Sequence, residues 1–229
     1  FIGSFAEGVN RWIVMEDLDK DFPLQKDQVS LSEIKQCLKW LANFHISFLF
    51  MNAKGLWDIG TYWHLNTRPD EFKKIKNQEL KSNAHAIDSL LNDCKYQTIV
   101  HGDAKLANFC FSGNSNGVAA VDFQYVGGGC GIKDVSYFLS SCLAAEESEK
   151  YEQELLNYYF TELRIAYDSS ELNFEYSELE REWREMYPIA CADFARFLLG
   201  WMPSHRKLNR YTMNKVEVVL KMLSENFKR

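Results

Sequence analysis

Apolar residues recur with a helical period over most of this chain. From residue 31 onward they return at steps of three and four, which predicts a long amphipathic helix that ends before residues 52–55. The positions that carry this period are Leu31, Ile34, Leu38, Leu41, Phe44 and Phe48. Further helices are predicted over 69–76, 83–94, 134–145, 148–167, 176–201 with a kink at Pro188, and 212–227. The pattern therefore indicates a mainly helical body.

Short segments at the start and in the middle of the chain break this pattern. Residues 1–5 and 11–16 are rich in β-branched and aromatic side chains and flank a turn-prone stretch, which predicts a hairpin. Residues 108–111 and 118–123 predict a second pair of strands around a polar turn, before the glycine run at 127–131. We expect an α+β fold in which a helical lobe carries a small β-hairpin insertion. Function is expected at the insertion, because its polar residues have no obvious packing role.

Composition and charge narrow the possible partners. The 229 residues are 46% hydrophobic and 25% charged, as in one globular domain, and the net charge is −6 with scattered basic residues, so no nucleic-acid partner is expected. The six cysteines form no CxxC pair or metal-ligand spacing, which favours a reducing, cytoplasmic location. No apolar stretch approaches the roughly 18 residues of a membrane span, and no signal peptide is visible.

The polar residues of the central segment have the spacing of a kinase catalytic loop. His101, Asp103 and Asn108 follow the pattern H-x-D-x-x-x-x-N, and Asp122 comes fourteen residues after Asn108. Asp103 could accept a hydrogen bond from a substrate hydroxyl, whereas Asn108 and Asp122 offer the oxygen ligands that Mg²⁺ prefers. Lys105 could place a positive charge near the transferring phosphoryl oxygens. This set of residues predicts phosphoryl transfer.

These residues resemble a family of small-molecule kinases. The segment from His101 to Leu139 is similar to the aminoglycoside phosphotransferase and choline kinase superfamily, which has the protein-kinase-like fold. Asp122-Phe123-Gln124, followed by Lys133-Asp134-Val135-Ser136-Tyr137-Phe138-Leu139, is most similar to the ecdysteroid-kinase-like branch. The resemblance implies a phosphotransferase that moves the γ-phosphate of ATP to a hydroxyl of a small molecule, with ATP as substrate and Mg²⁺ as cofactor.

The resemblance also implies a role for each matching residue. Asp103 corresponds to the catalytic aspartate, and Asn108 and Asp122 correspond to the metal ligands. Asp134 corresponds to a buried aspartate that supports the catalytic loop, and His101 would orient that loop.

Two further segments extend the resemblance toward the start of the chain. Residues 41–45 resemble the family's long-helix L-A-x-x-H signature, and residues 13–18 resemble its hinge, so that Glu16 and Leu18 are expected at the nucleotide. In the family, a phosphate-covering loop and a phosphate-binding lysine precede the hinge, but only about 12 residues precede it here. We therefore expect residues 1–18 to be the end of an N-terminal lobe with the hinge, and residues 19–229 to be the helical C-terminal lobe. Most of the N-terminal β lobe would be absent from this chain, which by itself should have little activity.

The acceptor is expected to be a small-molecule alcohol. Only 11 residues, four of them glycine, separate Asp122 from Asp134, whereas protein kinases place a longer peptide-docking segment there. Hydroxyl-bearing lipids or steroids, choline, aminoglycosides and sugars all stay open as acceptors. The residues of the acceptor pocket are not predicted, although some aromatic residues of 176–201 could line it. Most of those aromatic residues are expected in the core, and the four glutamates between 178 and 185 on a solvated helix face.

The sequence supports two other functions less well than phosphoryl transfer. A kinase-like fold can persist as a catalytically silent nucleotide-binding or scaffold module, but this chain keeps all three of Asp103, Asn108 and Asp122. Gly113–Gly117 matches the G-x-S-x-G of serine hydrolases, yet it leads into a strand rather than a helix, as a hairpin turn does. His45 and His85 are expected to be packing residues rather than metal ligands.

Overall fold

The computed structural model describes residues 2–113 and 117–226, and these form an α+β structure dominated by helices. The helices are α1 (Leu31–Ser47), α2 (Pro69–Lys74), α3 (Gln78–Asn92), α4 (Ile132–Cys142), α5 (Ala145–Asp168), α6 (Tyr176–Trp201) and α7 (Arg210–Asn226). The strands are β1 (Gly3–Glu7), β2 (Asn10–Val14), β3 (Thr98–Val100), β4 (Phe109–Phe111), β5 (Val118–Ala120) and β6 (Gly127–Gly129). Three-residue 3₁₀ helices occur at Leu18–Lys20, Leu65–Thr67 and Leu106–Asn108.

Helix α1 forms where the apolar period predicts it. A capping box starts the helix, because the Ser30 hydroxyl accepts from the backbone N–H of Glu33 at 3.3 Å and the Glu33 carboxylate accepts from the N–H of Ser30 at 2.7 Å. The apolar stripe is buried, as at Ile34, Leu38 and Leu41, and the helix packs along α5. This arrangement confirms the predicted helix and its core face.

Helix α6 is the central element of the helical body. Its bounds match the predicted 176–201, with Pro188 inside the helix, and it packs against α2, α3, α4 and α7. Five of its six aromatic residues are buried, whereas Trp201 at the end is about half exposed. The core prediction is therefore confirmed for Trp183, Tyr187, Phe194 and Phe197.

The strands form three separate two-stranded antiparallel sheets. Strands β1 and β2 pair with Gly3 opposite Val14, and β4 and β5 pair with Phe109 opposite Ala120. Both pairs were expected from the sequence. The serine of the G-x-S-x-G match falls in residues 114–116, which lie outside the described residues, but the flanking strands pair as a hairpin.

The third sheet was not predicted, because one of its strands consists of three glycines. Strand β6 pairs with β3, with Thr98 opposite Gly129 and Val100 opposite Gly127. A Cβ on Gly127 would lie 2.2 Å from the backbone oxygen of Trp57, so the close approach of the Trp57 segment requires glycine at this position. The glycine run is therefore a packing feature rather than a loop.

Helix α3 begins five residues earlier than the predicted 83–94. The Asn77 side chain accepts a hydrogen bond from the N–H of Leu80 at 2.9 Å and so caps the first turn. The acidic Glu79 follows in that turn, where it interacts favourably with the helix dipole.

The acidic run of α6 is not simply solvated, which corrects that expectation. The Glu182 carboxylate accepts from the backbone N–H groups of Lys95 and Tyr96 at 2.7 and 2.9 Å. Glu178 accepts from the Lys95 ammonium at 2.6 Å and from the Tyr96 hydroxyl at 3.1 Å. Two of the four glutamates thus connect α6 to the segment that leads into β3.

Three further properties of the described residues concern exposed apolar side chains, membrane spans and cysteines. The β1–β2 hairpin exposes several apolar side chains: Ile2, Phe5, Val9, Trp12, Ile13 and Val14. Within 2–113 and 117–226, no helix combines enough length with enough apolar character to cross a membrane. All six cysteines are unpaired thiols, and four of them are buried.

Candidate active site

The predicted catalytic loop connects β3 to β4 and is tightly packed. It runs from His101 to Asn108 and includes the 3₁₀ turn Leu106–Asn108. Gly102 has a φ of +80°, and a Cβ there would lie 2.2 Å from the backbone oxygen of Tyr125. Only glycine satisfies both conditions without strain, so the loop lies directly on the Tyr125 segment.

The Asp103 carboxylate is oriented by three donors. Oδ1 accepts from the Tyr137 hydroxyl at 3.1 Å, and Oδ2 accepts from the Lys105 ammonium at 2.8 Å and from the Asn108 amide at 3.1 Å. A carboxylate offers about four acceptor positions, so about one stays free for a further donor. Asp103 is itself buried, which leaves its orientation little freedom.

Asp134 supports the loop from below, in the first turn of α4. Its two carboxylate oxygens accept the backbone N–H groups of His101 at 2.6 Å and Gly102 at 3.0 Å. His45 of α1 donates from Nε2 to Asp134 Oδ2 at 3.2 Å, and its Nδ1 lies 2.8 Å from the Tyr159 hydroxyl. Burial alone would raise the pKa of Asp134, but the hydrogen bond and electrostatic attraction from His45, with the backbone N–H of His101, lower it below the ordinary value.

The position of His45 confirms the prediction that it is a packing residue. Its hydrogen bond to Asp134 was not predicted from the helical period. Its side chain is fully buried between Asp134 and Tyr159, so it positions a carboxylate that in turn positions the loop. His85 is exposed and contacts the ring of Phe72.

His101 uses both ring nitrogens inside the protein. Nε2 donates to the backbone oxygen of Val121 at 2.9 Å, and Nδ1 accepts from the backbone N–H of Asp103 at 3.3 Å. The ring also lies 4.6 Å from that of Phe123, measured between centroids. The imidazole thus connects the catalytic loop to the end of β5 and has no free nitrogen for a substrate.

Asn108 and Asp122 flank paired strands and lie next to each other along the sheet. Asn108 directly precedes β4, and its backbone oxygen accepts from the N–H of Val121, the residue before Asp122, at 2.9 Å. The Asn108 amide nitrogen donates to Asp103, so the amide oxygen is the atom available to a metal ion. Asp122 is exposed, has a φ of +67°, and forms no hydrogen bond or ion pair with the residues that the structure describes.

This donor set fits a magnesium ion that binds mainly to phosphate. An amide oxygen and one unpaired carboxylate are hard ligands, and Mg²⁺ in such sites takes its other ligands from water and substrate phosphates. Among the described residues, no group of three or more His, Cys, Asp or Glu side chains is placed to hold a metal ion. A dedicated protein cage is therefore not what the geometry favours.

The expected hinge residues are not part of this cluster. Glu16 is exposed, and the backbone oxygen of Leu18 accepts the N–H groups of Asp21 and Phe22 at 3.1 and 2.7 Å. In the described part of the chain, no hydrogen bond or ion pair joins either residue to the catalytic loop.

A cleft of about 520 Å³ opens beside Asp103. Its walls come from the catalytic loop, from α4, from the end of α6 and from the segment between α6 and α7. Lining residues include Tyr62, Asp103, Lys105, Tyr125, Tyr137, Phe194, Trp201, His205, Arg206 and Lys207. The expectation that a few aromatic residues of α6 line a pocket agrees with Phe194 and Trp201.

Tyr137 and Tyr62 are site residues to which the sequence analysis assigned no function. Tyr62 donates to the Tyr137 hydroxyl at 3.2 Å, and Tyr137 donates to Asp103. Burial raises the pKa of Tyr62 to about 12 and raises that of Tyr137 further, so both phenols stay protonated donors. The spacing of Asp134 and Tyr137, one turn of α4 apart, was the available signal for Tyr137. Tyr62 carries no comparable signal.

Comparison with known proteins agrees with this geometry. The sequence model of the ecdysteroid kinase-like family matches residues 58–172, half of the chain, and this range contains the whole cluster from His101 to Tyr137. Neither the curated proteins nor the solved structures gave a match. The chain therefore belongs to the ecdysteroid kinase-like family, part of the protein-kinase-like superfamily.

Proposed function

We propose that this protein transfers the γ-phosphoryl group of ATP to a hydroxyl of a small molecule. Family membership supports kinase-like phosphotransferase activity on small molecules in general. The observation that carries the proposal is the Asp103 carboxylate, which is held by three donors with about one acceptor position free and lies on a cleft of about 520 Å³.

Asp103 would act on the acceptor alcohol. Its free acceptor position takes a hydrogen bond from the hydroxyl and orients the oxygen in line with the γ-phosphorus. As the new oxygen–phosphorus bond forms, the bond from the γ-phosphorus to the bridging oxygen of ATP breaks and ADP leaves. The hydroxyl proton passes to the carboxylate. Tyr137 and His101 are positioning residues in this scheme, because each acts through Asp103 or the loop.

Lys105 would serve the phosphoryl group. Its ammonium lies 2.8 Å from Asp103 Oδ2 and is partly exposed to the cleft. A positive charge next to the reacting carboxylate stabilises the negative charge on the equatorial phosphoryl oxygens in the transition state.

Asn108 and Asp122 would hold Mg²⁺ through the amide oxygen and the carboxylate. When bound, this ion would neutralise the negative charge of the ATP phosphates.

We also propose that the backbone of Glu16 and Leu18 binds the adenine, as in the hinge that residues 13–18 resemble. Residues 1–18 and 19–229 would then be the two parts of the chain. A cytoplasmic location remains a prediction.

The segment between Asp122 and Asp134 supports a small-molecule acceptor over a peptide. The Tyr125 backbone oxygen accepts from Thr61, and residues 127–129 form β6 against β3. With most of its backbone packed in this way, the segment has little length left to dock a peptide chain. Peptide phosphorylation without turnover of any alcohol would contradict this proposal.

The test is a panel of alcohols incubated with the full-length protein, ATP and Mg²⁺, with ADP release and the phosphorylated product both measured. Asp103→Asn should lower kcat by about 10²–10⁴-fold and leave Mg²⁺-dependent ATP binding intact, because the carboxylate acts on the alcohol. Asp70→Asn, an exposed aspartate of α2, is the control for loss of a charge. More than about a tenth of wild-type kcat in Asp103→Asn would contradict the role. ATP binding with no turnover of any alcohol would favour a silent nucleotide-binding module.

A further inference from the structure

Lys207 has an unusual position beside the proposed catalytic aspartate. It lies in the segment between α6 and α7 and lines the same cleft as Asp103. Its Nζ lies 4.3 Å from the ring centroid of Tyr137, the phenol that donates to Asp103, and 5.2 Å from that of Phe194. The ammonium therefore lies over two of the aromatic rings that form the cleft wall.

The segment that carries Lys207 is structured. The backbone N–H of Lys207 donates to His205 Nδ1 at 3.1 Å, and the N–H of His205 donates to the backbone oxygen of Met202 at 2.9 Å. The His205 ring also lies 6.1 Å from that of Trp201 between centroids. These contacts hold the backbone of Lys207 at the cleft.

The Lys207 ammonium lacks a hydrogen-bond acceptor among the residues that the structure describes. It is half-buried, yet none of the residues described in the structure forms a hydrogen bond or ion pair with it. Burial, together with the positive charges of Arg206 and Lys105, lowers its pKa to about 7, although Cys142 and Asp103 act in the opposite direction. An ammonium has three N–H donors, and those of Lys207 are at the cleft without an acceptor among the described residues. A ligand oxygen in the cleft would satisfy them.

The charges that line the cleft are mainly positive. Lys26 pairs with Glu33 outside the cleft, and Lys105 pairs with Asp103, but Arg206 and Lys207 have no acidic partner among the described residues. Asp27 is the one lining acid besides Asp103. Cationic ligands are commonly bound over aromatic faces, and here Lys207 already occupies the faces of Tyr137 and Phe194.

We propose that Lys207 is a specificity-determining residue of the acceptor site, which donates a hydrogen bond to an oxygen of the acceptor alcohol and excludes alcohols that carry a positive charge. The inference rests on the proposed function and narrows its substrate class. The acceptor is an oxygen-bearing alcohol that is uncharged or anionic, and choline and aminoglycosides are disfavoured.

Binding of matched probes tests this claim without turnover. Choline and 3,3-dimethylbutan-1-ol have the same shape and differ by the positive charge, and saturation-transfer NMR detects weak binding of either, alongside neutral and anionic polyols. The wild-type chain should bind the uncharged member of the pair and not choline. Lys207→Glu should reverse this preference, whereas Lys207→Met should abolish it. Lys221→Glu, an exposed lysine of α7, should behave as wild type. Choline binding equal to or stronger than that of its neutral analogue, or no charge preference in the panel, would overturn the proposal.

Turnover gives a second and separate readout. With the best alcohol of the panel, Lys207→Met should raise the KM for the alcohol on the order of tenfold and change kcat less, because a hydrogen bond from a charged group to the acceptor is lost. An unchanged KM with unchanged charge preference would contradict a specificity role. If the full-length protein phosphorylates no alcohol, the proposed function fails, and the binding preference still decides the role of Lys207.

Discussion

Single side chains set the geometry of Asp103, and among the described residues Tyr137 is the one donor to its Oδ1 oxygen. The other carboxylate oxygen has two donors, Lys105 and Asn108. Because Oδ1 depends on Tyr137 for its orientation, this phenol is the residue through which the position of the carboxylate is most easily disturbed.

Tyr137→Phe removes that hydrogen bond and the one that the Tyr137 hydroxyl accepts from Tyr62, while the ring stays packed. We expect kcat to fall on the order of tenfold, since a hydrogen bond to a charged group contributes about 1.5–3 kcal/mol, and the KM for ATP to stay unchanged. Steady-state kinetics with both substrates would measure this split. Tyr151→Phe in α5 is the matched control, because its hydroxyl forms no hydrogen bond with Asp103. An unchanged kcat in Tyr137→Phe would remove Tyr137 from the site.

Asp122 is the second residue whose role can be isolated. Asp122→Asn is preferable to alanine, because asparagine tolerates a φ of +67° and keeps a similar shape. We expect Mg²⁺-dependent ATP affinity to fall at least ~10-fold, since losing even an outer-shell partner costs 10–100-fold in metal affinity. The unfolding midpoint should not change, because Asp122 is exposed and unpaired among the described residues. Titration of ATP with and without Mg²⁺ would measure this, and equal affinities in both proteins would contradict the role.

At the scale of elements, the N-terminus of α1 connects helix capping to the cleft. Glu33 caps the helix through Ser30 and also accepts from the ammonium of Lys26, which lines the cleft. The hydrogen bond from Lys26 and those from Ser30 lower the pKa of Glu33 from 4.5 to about 2. The carboxylate therefore stabilises the folded state above about pH 4.5, and this contribution is lost as the pH falls toward 2.

Glu33→Gln should show the pH dependence that follows. The variant should be less stable than wild type at pH 7, and the difference should shrink between pH 4.5 and 2, where the native carboxylate takes up its proton. Denaturant unfolding across this pH range measures the difference. Glu79→Gln, in the first turn of α3, is the control because its carboxylate is exposed. A stability difference that does not change with pH would contradict the assignment.

At the scale of the whole molecule, α6 joins the helical body to the catalytic loop. Its Glu182 carboxylate accepts the N–H groups of Lys95 and Tyr96, which precede β3, and β3 leads directly into His101. The Trp183 indole on the same helix donates to the backbone oxygen of Tyr96 at 2.9 Å. The position of β3 therefore depends on a helix more than 80 residues away in the sequence.

Glu182→Ala should lower the free energy of unfolding by about 1–3 kcal/mol, because it leaves two backbone donors without their acceptor. Glu185→Ala, one turn further along α6, removes an exposed carboxylate and should change the free energy by less than about 0.5 kcal/mol. Urea unfolding of both variants would measure the comparison. Equal effects would mean that Glu182 is as solvated as the sequence suggested.

Residue spacing by itself determined the main helices and the catalytic loop of this protein. Helices α1 and α6 follow from apolar periodicity, because a helix repeats over three to four residues and that repeat is visible locally. The grouping of His101, Asp103 and Asn108 was also predicted, since one short loop carries all three. Asp134 was expected beneath the loop from a resemblance, and the structure places it there.

Only the tertiary structure decided the features that depend on distant segments. Glycine has a weak tendency to form strands, and β6 exists because β3 offers a partner and the Trp57 segment leaves no room for side chains. The Tyr137 contact with Asp103 spans 34 residues of sequence, and Glu182 reaches the segment before β3 across 86. The position of Lys207 could not be predicted from neighbouring residues, because its ammonium packs over two aromatic rings that belong to α4 and α6. Local spacing encodes helices and loop motifs, but a partner brought in by packing is set by the whole chain.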